Sequence, residues 1–310
     1  MIRHFLHLCE LSPAELQWLI QRAEHLKKGR LQLEVLQNQC LILVFEKPST
    51  RTRISFEVAI HELGGYTLFM TPSESQLGRK EPLKDTARVL SRYAHGLVVR
   101  TFAQENLEEL ARFATVPVVN ALSDAYHPCQ VASDLLTIYE RTPDFSGLRI
   151  AWVGDGNNMA HSWINAACLL PFTLSLAAPE GYGPDGGLLD EAREQGARIE
   201  IVSDPREAVR EADYVNTDVW ASMGKETERE SRNDAFLPYQ INEELLDAAP
   251  ARAKVMHCLP AHRGEEISDS VIEGPRSIVW DQAENRLHMQ KAILEWIAQE
   301  AKGEEIERHK

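Results

Sequence analysis

Short, continuously apolar runs alternate with segments of helical periodicity along this chain; the alternation halts near residues 143–147 and then starts again. A run such as Cys40-Leu-Ile-Leu-Val-Phe45 has no polar face. It therefore suits a strand covered on both sides, as in a parallel sheet between two layers of helix. Gly96–Arg100, Val116–Val119, Leu148–Val153, Arg198–Ser203, Tyr214–Asp218, Lys254–His257 and Ser277–Trp280 read as further strands. Helices are expected after the capping pattern Ser12-Pro13-Ala14-Glu15, and over Ser49–Gly64, Leu83–Tyr93, Asn106–Phe113, Val131 onward, Met159–Leu170 and Asn285–Lys302. Such alternation in both halves predicts an α/β protein: two doubly wound α/β domains with mostly parallel sheets, linked by helices. The expected domains are 1–145 and 146–285, with a terminal helix in 286–310 packing back on the first.

The charge balance narrows the partners. Thirty-three Lys and Arg stand against 47 Asp and Glu, a net charge of −14, which argues against nucleic acid or an anionic membrane. A few arginines gathered in one cleft still allow an anionic substrate. Cys9, Cys40, Cys129, Cys168 and Cys258 are odd in number and form no CxxC pair, which fits free thiols in a reducing compartment. The first residues carry His, Arg and Glu where a secretion signal needs an apolar core, and no run reaches the roughly 18 apolar residues of a membrane span. A cytoplasmic location is expected.

In doubly wound sheets, ligands bind beyond the carboxyl ends of strands. The polar motifs of this chain fall there. Lys47-Pro-Ser-Thr-Arg-Thr-Arg53 follows a buried strand and opens a helix. A helix start offers unpaired N–H groups and partial positive charge, and hydroxyls and guanidiniums add donors, which is the chemistry of a phosphate cradle. One Ser and one Arg there would be an ordinary cap beside a solvated side chain; five polar residues converging behind a strand point to an anion. Arg100 ends the next strand and can point into the same crevice. His127-Pro128-Cys129-Gln130 sits around another helix start, where an imidazole and an amide can donate to a carbonyl oxygen. Arg286, at the expected start of the last helix, is a further guanidinium for an anion. Ser75–Glu81 reads as a polar loop.

The second half carries different chemistry. Gly154-Asp155-Gly156-Asn157-Asn158 lacks the third glycine of a dinucleotide fingerprint, so a nicotinamide cofactor is not expected; its asparagines suit an amino acid's polar groups. Asp218, at a strand end, suits an ammonium group. Ser222-Met223-Gly224 reads as a flexible turn that can close on a ligand, and Lys225–Asn233 as a polar loop. His257-Cys258-Leu259-Pro260 follows another strand; its ligand spacing is wrong for zinc, and adjacent His and Cys side chains diverge, which disfavours thiol-protease chemistry.

Taken together, the motifs resemble the aspartate/ornithine carbamoyltransferase family over nearly the whole chain. Ser49–Arg53 and His127–Gln130 are similar to the signature shared by its branches. Asp218–Gly224 (DVWASMG) and His257–Gly264 (HCLPAHRG) are more specific and resemble the ornithine branch. The resemblance implies a transferase that moves the carbamoyl group of carbamoyl phosphate to the δ-amine of L-ornithine, giving L-citrulline and phosphate in arginine metabolism, with no metal and no organic cofactor. It implies that Ser49, Thr50, Arg51, Thr52, Gln76, Arg100, His127, Gln130, Cys258, Leu259 and Arg286 bind carbamoyl phosphate, and that Asn158, Asp218, Ser222 and Met223 bind ornithine. Arg51, Arg100, His127, Asp218 and Cys258 are the implied catalytic groups. Gln76 is implied to reach a neighbouring subunit's site, hence a homotrimer with shared active sites, open to larger assemblies. A relative using another amine, or a carbamoyl phosphate-binding protein without turnover, is the alternative.

Overall fold

The computed structural model describes residues 2–29, 33–71, 81–221 and 229–302, without the side chains of 229–231 and 302. The chain divides into two compact units, Met1–Leu136 with Arg286–Lys310, and Thr137–Asn285.

The first unit holds α1 (Pro13–Gly29), β1 (Cys40–Phe45), α2 (Thr50–Glu62), β2 (Tyr66–Met70), α3 (Leu83–Tyr93), β3 (Gly96–Arg100), α4 (Gln104–Phe113) and β4 (Val118–Leu122). α5 (Pro128–Tyr139) and α12 (Val279–Lys302) each give residues to both units. α1 begins as its sequence predicts: Glu15 N–H donates to Ser12 Oγ at 3.3 Å, and Ser12 N–H to Glu15 Oε2 at 2.8 Å. The sheet order is β2-β1-β3-β4, every pair parallel. All of β1 is buried, as an apolar run without a polar face requires. Fully burying one such Leu or Val contributes about 1.5–3 kcal/mol, so a register slip here is costly.

The second unit holds β5 (Arg149–Val153), α6 (Asn158–Leu169), β6 (Thr173–Ala177), α7 (Gly186–Glu194), β7 (Arg198–Val202), α8 (Pro205–Val209), β8 (Tyr214–Thr217), α9 (Arg229–Phe236), α10 (Glu243–Leu246), β9 (Lys254–His257) and α11 (Asp269–Ile272). Its sheet runs β7-β6-β5-β8-β9, again all parallel. Val153, Val215 and Val255 from three adjacent strands pack in one core with Ile241, Ile267 and Ile272.

Strand order locates the crevices. In each sheet the direction of winding reverses once: between β1 and β3 in the first, and between β5 and β8 in the second. The helices leave a gap at the carboxyl ends of such a pair, where ligands of doubly wound folds sit. Ser49–Arg53 and Arg100 flank the first gap; Gly154–Asn158 and Asp218 flank the second.

Several expectations need correction. β2 and β6 were not expected; β2 is a half-exposed edge strand, and Thr and Ser interrupt β6, so neither is a continuous apolar run. The expected strand Ser277–Trp280 is one bridge, Ser277 to Val255; the chain turns helical when Gln282 N–H bonds back to the Ile278 carbonyl. The last helix therefore starts at Val279, and Arg286 lies two turns inside it instead of at its start. β4 runs past the expected strand end at Val119 to Leu122, because the buried Asn120 amide donates to the Leu6 carbonyl at 2.8 Å and needs no solvent. Within the expected loop Lys225–Asn233, residues from Arg229 onward are helical: Phe236 is fully buried against Tyr182, Trp220 and Tyr239, which draws its segment into the core.

Candidate active site

In the first unit most of the groups expected to bind an anion gather at three strand ends. Ser49 caps α2, its Oγ accepting from Thr52 N–H at 3.3 Å. The first turn of α2 contains no acidic residue and carries Arg51 and Arg53. Cations at a helix N-terminus oppose the helix dipole, an arrangement that an incoming anion relieves. Arg51 Nε is buried without a hydrogen-bond partner among the described residues. Arg53 does not join the set: Glu57 accepts from its Nε at 2.9 Å, and its guanidinium lies 3.7 Å from the Phe69 ring centre. Thr50 is exposed and Thr52 buried.

Arg286, on α12, is the centre of a buried network. Its Nη2 donates to Thr52 Oγ1 at 2.6 Å and its Nη1 to Gln130 Oε1 at 2.7 Å. Gln130 passes the chain on, donating to Asp134 Oδ1 at 2.8 Å. A planar guanidinium suits two acceptors at a fixed angle. Arg100, buried, ends β3 beside a register shift between Val99 and Arg100. Burial, with the charges of Arg286 and Arg100 nearby, holds the His127 imidazole well below its ordinary 6.5. A neutral imidazole can donate to an oxygen on which negative charge grows. Burial pushes the neighbouring Cys129 thiol up to about 12. It stays protonated and donates to the Asn120 carbonyl at 3.3 Å, a packing role.

The second unit assembles a carboxylate, a thiol and an imidazole. Thr217 and His257 are paired in the β8–β9 register, so the next residues, Asp218 and Cys258, emerge side by side. The Cys258 thiol donates to Asp218 Oδ1 at 3.0 Å, Val219 N–H to the same oxygen at 2.8 Å, and Asn157 Nδ2 to Oδ2 at 3.1 Å. Asn157 also caps α6, accepting from Met159 and Ala160 N–H. Asn158 is then the first helical residue. The turn before it needs Gly156: a Cβ there would lie 2.2 Å from backbone atoms of Gly183 and Pro184. Gln76, Ser222 and Met223 lie outside the described residues.

Behind this cluster lie two groups that no sequence motif marks, Glu266 and Arg232. His257 is buried; its Nδ1 accepts from Leu259 N–H at 2.8 Å, so its Nε2 carries the proton and donates to Glu266 Oε1 at 3.0 Å. That clamp holds Leu259 at φ +58°, a left-handed conformation unfavourable for a branched side chain, ahead of a cis peptide to Pro260. Arg232 bridges Asp155 Oδ2 (3.0 Å) and the Trp220 carbonyl (2.7 Å), tying the β5–α6 turn to the segment after Asp218. Glu266 and Arg232 lie outside the motifs of recognisable spacing, and a charge in an apparent polar loop gives no local signal of burial.

Asp218, His257 and Cys258 offer ligand atoms within 4.8 Å of one another, as do His262, Glu265 and Glu266. In the first trio both His257 nitrogens are engaged, by Leu259 and Glu266, so an ion would have to break that clamp. Among the described residues no helix is long and apolar enough to cross a membrane.

Comparison with known proteins places this geometry. Residues 3–140 match the model for the aspartate/ornithine carbamoyltransferase carbamoyl-P binding domain, and 146–297 that for the Asp/Orn binding domain. A protein of Oleidesulfovibrio alaskensis named ornithine carbamoyltransferase is 56% identical over 297 residues, 96% of this chain and 99% of the relative. One of the same name from Nitratidesulfovibrio vulgaris is 58% identical with the same coverage. The solved ornithine carbamoyltransferase of Pyrococcus furiosus superposes with a TM-score of 0.90 at 45% identity, covering 94% of this chain and 96% of that one. The anabolic enzyme of Campylobacter jejuni gives 0.92 at 40% identity, covering 96% and 100%.

Proposed function

Because this chain belongs to the aspartate/ornithine carbamoyltransferase family, we propose that it catalyses carbamoyl transfer to L-ornithine. The chain is a carbamoyltransferase of the ornithine branch. The neutral δ-amine forms a bond to the carbamoyl carbon, the carbon–oxygen bond to phosphate breaks, and the proton shed by nitrogen is balanced on the departing hydrogen phosphate. The products are L-citrulline and phosphate.

In this reading the α2 start, with Ser49, Thr50, Arg51 and Thr52, receives the phosphate group, where its N–H groups and missing acids favour an anion. Arg100 and neutral His127 donate to the oxygens that gain charge, and Arg286 and Gln130 hold the carbamoyl end. An alkylamine ordinarily has a pKa of about 10.4, so the amine must be bound in its neutral form for attack. Asp218 and Cys258 orient that nitrogen, and Asn158 meets the amino-acid end. Gln76, Ser222 and Met223, on segments outside the described residues, complete the set by resemblance.

The observation that carries the choice of ornithine is the buried Asp218 carboxylate between Asn157 and Cys258. An aspartate-using site needs cations at that point, and it has none among these contacts.

The protein acts as a cytoplasmic homotrimer serving arginine synthesis. In support of self-association, Ile54 and Val58 on α2, Tyr66 and Leu68 on the edge strand β2, and Tyr93 on α3 are large, apolar and exposed in the first unit. The test is citrulline formation from carbamoyl phosphate with ornithine, run beside aspartate, putrescine and N-acetylornithine, with the mass in solution measured in parallel. Turnover with ornithine alone is expected; turnover with another amine would overturn the use of Asp218.

A further inference from the structure

Lys47 lies in the turn between β1 and α2, two residues before the Ser49 cap, yet it does not join the anion cradle. Its side chain is 5% exposed, and its ammonium donates to Asp124 Oδ1, while the Asp124 side chain is 60% exposed. The same ammonium sits 4.3 Å from the Phe102 ring centre. Phe102 and Asp124 belong to two other loops. Phe102 follows Arg100 by two residues, and Asp124 precedes His127 by three. The loops are bonded to one another as well: Asp124 N–H donates to the Phe102 carbonyl at 2.8 Å, and Thr101 N–H to the Leu122 carbonyl at 3.0 Å. Glu46, next to Lys47, accepts from the Thr101 hydroxyl and from Phe102 N–H.

One cation thus touches all three strand-end loops that carry the anion-binding groups. Burying an ammonium is costly unless it is paired, and this one gains both a carboxylate and an aromatic face. The carboxylate, being largely in water, needs the ammonium far less than the ammonium needs it. The arrangement therefore serves the loops more than the stability of the ion pair. We propose that Lys47 is a positioning residue for carbamoyl phosphate. Through Asp124 and Phe102 it holds Ser49–Thr52, Arg100 and His127 in register before the ligand arrives. The inference rests on the carbamoyl phosphate reading of this site.

The experiment measures the equilibrium Kd for carbamoyl phosphate in the full-length protein and in Lys47→Met, Lys47→Arg, Asp124→Asn and the Lys47→Met/Asp124→Asn double variant. KM for ornithine at saturating carbamoyl phosphate and the thermal midpoint are measured on the same samples. Displacing a positioned group by 1 Å costs on the order of 10²-fold, and a loosened clasp moves its loops less, so Kd should rise about tenfold in Lys47→Met and in Asp124→Asn. The double variant should be no weaker than Lys47→Met, Lys47→Arg should bind nearly as well as the parent, and KM for ornithine should stay put. If Asp124→Asn binds as tightly as the parent or more tightly while Lys47→Met binds weakly, Lys47 is a direct ligand and the proposal fails. Unchanged binding in both single variants also overturns it, as does a loss that tracks the thermal midpoint alone. Should Lys47→Met not fold, Asp124→Asn at the exposed carboxylate decides by the same criterion. A parent protein that does not bind carbamoyl phosphate refutes the underlying reading instead.

Discussion

The Cys258 thiol donates to Asp218 Oδ1 at 3.0 Å, although forty positions separate the two residues in the chain. The contact follows from adjacent strands in register: Thr217 faces His257, so the residues one step further along each strand meet at the sheet's carboxyl edge. A thiol there keeps one carboxylate oxygen in place while Asn157 keeps the other, so the group is held on both sides.

Asp218→Asn tests that arrangement. The amide keeps the volume but loses the charge, and its NH2 would confront either the Asn157 amide or the thiol, both donors to the native oxygens. We expect kcat/KM for ornithine to fall by about 10²–10⁴, the scale of one positioned polar group in the reacting zone. Carbamoyl phosphate affinity, measured by calorimetry, should change less than about threefold, or under 1 kcal/mol. Equal losses in both quantities would show that Asp218 serves the fold of the site and not the amine.

Arg286→Lys tests the buried network. Lysine retains the charge but cannot present a planar fork to Thr52 Oγ1 and Gln130 Oε1 together. One acceptor loses its charged partner, at a cost of about 1.5–3 kcal/mol of stability, readable by urea denaturation with an unchanged m-value. The Kd for carbamoyl phosphate should rise by at least about tenfold. A variant as stable and as tight-binding as the parent would remove Arg286 from the site.

His127 makes the pH prediction. Its folded-state pKa is depressed by burial and by Arg286 and Arg100, so the unfolded chain takes up a proton more readily than the folded one. Above the ordinary value of 6.5 the imidazole is neutral in both states, and its contribution is fully present. As pH falls below that value the unfolded state is protonated first, and stability drops by about 1.4 kcal/mol per pH unit until the folded group titrates. His127→Asn should remove that part of the slope when unfolding free energy is followed between about pH 5 and pH 7.5. The burial-lowered His4 leaves its own part behind in both proteins. An unaltered slope would mean that His127 is neither so buried nor so near the two arginines in solution.

Much of this protein was determined by sequence alone, because the signals are local. An apolar run such as Cys40–Phe45 needs cover on both faces, Ser12 and Glu15 cap one another's backbone, and Ser49 before Thr52 announces a helix start behind a strand. Those patterns place the polar motifs at strand ends and predict parallel sheets. Tertiary structure alone decided which distant groups share a site. Strand order brings β8 beside β9, so Asp218 finds Cys258; α12 starts early enough to carry Arg286 between Thr52 and Gln130, 234 and 156 positions away; His257 reaches Glu266, and Lys47 turns from the anion cradle to Asp124. The physical reason is that hydrogen-bond and charge partners are selected by proximity after packing, whereas the hydrophobic period that predicts the elements carries no information about which of them become neighbours.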